Sequence, residues 1–145
     1  MTGDEVPDSD NVTRLCSKTQ LNEDGWPEAT AFLLKTNEPY LSVNWLEHVR
    51  LEDREQQIAE VRRVLNRKRD VRASARLALL NVGQARAAVL SGTPNRVAIE
   101  VRHEPEDGPL EDPSHAGIYN LPIANTDISA AEQLVLSVLE VFPAR

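Results

Sequence analysis

The sequence predicts an α+β fold: one small domain in which a three- or four-stranded mixed sheet carries helices packed mainly on one face. Three observations lead there. The chain has 145 residues and is 41% hydrophobic, enough for one domain to bury a core without metal or disulfide help. Apolar residues recur at helical spacing in some stretches and alternate, or run together, in others. No internal repeat and no Pro/Gly/Ser linker divides the chain, so these stretches share one body. We place residues 1–27 in an acidic, largely disordered N-terminal segment and residues 28–145 in the domain.

The opening segment is polar and lacks periodicity, as a solvated tail does; Trp26 is its one anchor. Ala31–Lys35 is a short apolar run and predicts a buried strand, closed by Pro39. Asn44 followed by Glu47 has the form of a helix start. Asp53 is a second cap, and from there to Lys68 the residues Ile58, Val61, Val64 and Leu65 share one helical face. Ala73–Val82 predicts a strand buried on both faces and ended by Gly83. Gln84–Ser91 fits either a short helix or the return strand of a hairpin. Gly92-Thr93-Pro94-Asn95 is a turn.

Arg96–Arg102 alternates strictly, with Val97, Ile99 and Val101 on one side, and predicts a half-buried strand. A βαβ unit from Ala73 to Arg102 is compatible with this order. After a polar loop, His115–Leu121 predicts another strand. Ser129-Ala130-Ala131-Glu132 has the pattern of a capping box. The helix it opens would carry Leu134, Val138 and Phe142 on one face and end at Pro143.

Charge and cysteine content narrow the function classes. The net charge is −7 and the isoelectric point is near 5.0, which argues against whole-surface nucleic-acid binding. The charge is uneven. Residues 50–86 hold ten basic and five acidic side chains, whereas Met1–Asp10 and Glu104–Asp112 hold four and five acids and no base. The single cysteine, Cys16, excludes an internal disulfide. Together with an acidic start and no apolar span, it predicts a cytoplasmic protein with no membrane partner. No Walker loop, dinucleotide glycine fingerprint, Cys-x-x-Cys pair or nucleophile elbow is present. No cofactor and no metal is therefore predicted.

Three groups of residues could carry function. His103 ends one predicted strand and His115 begins the next, with Glu104, Glu106, Asp107, Glu111 and Asp112 between them. Two imidazoles beside carboxylates suit proton transfer or a divalent metal, so His103, His115 and Asp112 are the catalytic candidates of a small hydrolase. Arg62, Arg63, Arg67 and Arg69, extended by Lys68, Arg72 and Arg76, form a basic stretch able to meet phosphates of a nucleic acid, without aromatics for base stacking. Tyr40 and Trp45 are the aromatic candidates for a contact with another protein. A Ser42–His48 nucleophile pair is compatible with the spacing, but no base stands beside Ser42 and His48 follows six residues on, past an expected helix start. With no coherent catalytic set, the leading expectation is a non-enzymatic protein-binding or accessory component, ahead of the hydrolase and the nucleic-acid readings.

Overall fold

The computed structural model describes residues 3–49, 52–123 and 126–145. Its strands are β1 (Asn11–Cys16), β2 (Leu41–Trp45), β3 (Arg76–Asn81), β4 (Glu100–His103), β5 (His115–Tyr119) and β6 (Glu140–Pro143). Its helices are α1 (Arg54–Lys68), α2 (Val82–Gly92) and α3 (Ser129–Leu136). The α+β class holds. The sheet has six strands in the order β4-β5-β2-β1-β3-β6, and every neighbouring pair is antiparallel. It is thus neither three- or four-stranded nor mixed.

The added strands come from segments with weak patterns. β1 lies in the stretch expected to be a disordered tail and pairs along its whole length with β3. Residues ahead of it are also engaged. Val6 is buried, its N–H donates to the Val101 carbonyl, and Glu5 bridges Arg102 at the edge of β4. β2 occupies the site of the expected helix start at Asn44, and only a short 3-10 turn, Leu46–Val49, follows it. β6 replaces the end of the expected last helix. Phe142 pairs with Leu77 across the ladder instead of continuing the apolar face of a helix with Leu134 and Val138. Ala31–Lys35 is not a strand: Ala29–Phe32 forms a 3-10 turn that buries Ala31 and Phe32.

The helices form where local signals agree. Asp53 caps α1 by accepting from the Gln56 N–H at 2.8 Å, and Ile58, Val61, Val64 and Leu65 are buried as their spacing requires. Gln84–Ser91 is helical, inside an α2 capped by Asn81. α3 begins at Ser129 itself, so the expected capping box is absent; the Ser129 N–H is met by Asp127 Oδ1. That contact holds the Asp127 carboxyl below its usual value.

Strand alternation divides the helices between the two faces. Leu77 and Leu79 join α1 in one cluster, with Leu46, Ile58, Val61 and Leu65. Ala78 and Leu80 point the other way and join α2 and α3, with Val12, Val43, Ile118 and Leu134. Two helices share one face and α1 covers the other. β3 and β4 run in the same direction, as a βαβ unit requires, but three strands separate them.

Candidate functional site: a basic cleft against the α1 face

The registers decide which candidate side chains can meet. His103 pairs with Ala116, the residue after His115. Directly paired residues share a face and successive residues alternate. His103 therefore projects from the α2/α3 face and His115 from the α1 face. Both are buried at the same end of the sheet, on opposite sides of it.

Each imidazole is anchored to a loop carbonyl. His103 Nε2 donates to the Pro113 carbonyl at 2.7 Å, and its Nδ1 is buried without a partner. Its ring packs on His48, centroid to centroid 4.5 Å, and edge-on to Trp45 at 5.2 Å. His115 Nδ1 donates to the Glu104 carbonyl at 2.8 Å, with Tyr40 packed nearby. Among the described residues no group of three His, Cys, Asp or Glu side chains is placed to hold a metal ion.

Asp112, fully buried, sits in a polar network. It accepts from Asn44 Nδ2 at 2.9 and 3.1 Å and from Lys68 Nζ at 2.9 Å, with Ser114 Oγ at 3.3 Å. Lys68 also pairs with Glu106. A buried carboxylate needs such compensation, because desolvating a lone charge is costly. The network ties the last turn of α1 to the acidic loop after β4.

Beside this network lies a cleft of about 640 Å³. Asn44, Ser42 and His115 line its sheet side, Leu65, Lys68 and Arg69 its α1 side, and Val71, Arg72, Ser74 and Ala75 the turn beyond α1. Six cations line it: Arg14, Lys18, Lys35, Lys68, Arg69 and Arg72. Two carboxylates, Glu38 and Asp70, do so as well, leaving a formal +4. Among the described residues, Lys68 alone of the six cations enters an ion pair.

Arg14 is held by geometry. The β1–β2 ladder stops at Thr13 and Asn44, and beyond it the guanidinium donates to the Ser42 carbonyl at 2.9 Å and the Ala31 carbonyl at 2.8 Å. Burial lowers its pKa, and Arg69 acts in the same direction. An arginine keeps its charge through such a shift. Cys16 lies two residues further along β1; burial pushes its thiol up to about 11, which removes it from nucleophilic chemistry near neutral pH.

The basic stretch divides between α1 and the turn that follows it. Arg69 and Arg72 line the cleft. Arg62 donates to the Pro143 carbonyl, Arg63 pairs with Glu60, and Arg67 donates to the Glu111 carbonyl. Arg76 is turned onto the Ala73 and Ala75 carbonyls. Arg50 falls outside the described residues. Trp45 is half-buried, its Nε1 donating to Asp10 at 2.9 Å, and Tyr40 is half-buried between His115 and Tyr119. Arg14, Lys18, Lys35, Asn44 and Ser114 carry no linear signal that marks them as neighbours.

The chain matches no family model, and neither the curated proteins nor the solved structures contain a match to it. No helix of the described residues is long and apolar enough to cross a membrane.

Proposed function

We propose that this chain is a non-enzymatic binding component of the cytoplasm whose working surface is the basic cleft, and that what it holds there is phosphate-bearing. One observation carries the reading: six cations border one concave volume in a chain whose net charge is −7. Like charges gathered in a fold repel one another, and that cost is offset when an anion occupies the space between them. Arginine forks and lysine ammoniums, together with the hydroxyls of Ser17, Thr19, Ser42 and Ser74, supply donors suited to phosphate oxygens. The volume lies within the range of small-molecule sites.

The hydrolase reading loses its motive, since the two imidazoles it relied on face opposite sides of the sheet. Calorimetric titration with inorganic tripolyphosphate tests the proposal. Wild type binds, and the exposed double variant Arg69→Ala/Arg72→Ala binds at least about tenfold more weakly. Equal heats for the two proteins, or affinity weaker than about 1 mM for wild type, contradicts it.

A further inference from the structure

The cleft carries a second set of polar groups that phosphate recognition does not use. His115 Nδ1 is the proton-bearing nitrogen, because its partner, the Glu104 carbonyl, can only accept. Nε2 of the neutral ring is then an acceptor, on a side chain that lines the cleft. Glu38 and Asp70 add carboxylate acceptors to the same lining. Glu38 already accepts from the Lys35 N–H at 3.0 Å, but acceptors repel phosphate oxygens, so a ligand made only of phosphate would leave His115 Nε2 and Asp70 unmatched. The apolar lining is aliphatic throughout, being Leu15, Leu65, Val71 and Ala75. Nucleobases are ordinarily held by stacking on aromatic rings, and none lines this cleft apart from the His115 imidazole.

We propose that the ligand is a phosphorylated sugar, its phosphates on the arginine and lysine side of the cleft and its hydroxyls donating to His115 and Asp70. The proposal rests on the anion-binding reading above and specifies it. Hydroxyl groups suit this site because each can donate to a carboxylate or imidazole nitrogen that phosphate cannot approach.

Three probes separate the possibilities by calorimetry: fructose 1,6-bisphosphate, inorganic pyrophosphate and ATP. The sugar bisphosphate is expected to bind about tenfold or more tighter than pyrophosphate, and ATP no tighter than pyrophosphate. His115→Asn keeps a donor for the Glu104 carbonyl and removes Nε2. Asp70→Ala, at an exposed position, provides a second variant whose folding does not depend on a buried ring. In each, the preference for sugar bisphosphate over pyrophosphate falls about fivefold, while pyrophosphate affinity is held or rises. Pyrophosphate binding without any preference for the sugar, a preference unchanged in both variants, or ATP binding as tightly as the sugar bisphosphate overturns the sugar proposal alone. Loss of all three ligands in wild type overturns the anion-binding reading with it.

Discussion

At the scale of single residues, buried polar groups do most to define the site. Asp112 is fully buried and compensated by Lys68 and Asn44. Asp112→Ala strips both partners and is expected to destabilise the protein by about 3–5 kcal/mol, measured by urea denaturation. A loss below about 1 kcal/mol would show the network to be dispensable. Cys16 gives a pH prediction. Its thiol is raised from an ordinary 9.0 to about 11 by burial. The folded state therefore binds more protons than the unfolded state between those values. The thiol's contribution to stability is fully present below pH 9.0 and is lost as pH rises through about 11. An aromatic disulfide reagent should leave Cys16 unlabelled in native protein at pH 8 and label it in denaturant; rapid native labelling would contradict its burial.

At the scale of elements, the sequence was informative where several local signals agreed. α1 has a cap, an apolar stripe and a charged outer face, and it forms between the expected limits. Asp53→Ala should cost about 1 kcal/mol in urea denaturation, and no change would mean that packing alone sets the start of α1. The β3 segment was legible from its continuous apolar run, which two covered faces demand. β1 was not: Asn11, Thr13 and Arg14 make it look solvated, yet Asn11 bonds Glu47 and Arg14 bonds two carbonyls inside the fold, and Thr13 is buried outright. The end of the chain misled for a related reason. Leu134, Val138 and Phe142 continue a helical spacing, but the Leu79 and Leu77 backbone offers a free edge that recruits residues after Leu136 as β6. Gly117 in β5 has a steric role that composition could not reveal. A Cβ there would lie 2.4 Å from the Tyr40 ring, so Gly117→Ala should destabilise by about 1–3 kcal/mol, with Tyr40 displaced from its place between His115 and Tyr119. Unchanged stability would show that Tyr40 moves aside at no cost.

At the scale of the whole molecule, the candidate site is a product of topology. Its cations come from β1, the turn after it, the segment before β2 and the end of α1, and only the antiparallel order β2-β1-β3 under α1 brings them to one cleft. The sequence showed a basic stretch but not its division. Arg62, Arg63 and Arg67 are spent on local acids and carbonyls, whereas Arg69 and Arg72 remain for the cleft. Nor could it show that a strand register would put His103 and His115 on opposite faces. Because the cleft is exposed on its cationic rim, binding of an anion there should weaken steadily as salt rises; an affinity insensitive to salt would contradict an electrostatic origin.

The most direct test is amide chemical-shift mapping by NMR during titration with inorganic tripolyphosphate at low salt. The largest shifts are expected at Arg14–Gln20, at Lys68–Ala75 and at His115, three of the segments that border the cleft. Shifts concentrated instead on the Arg62 and Arg63 face of α1, or around Arg86 and Arg102, with the cleft unmoved, would contradict the account.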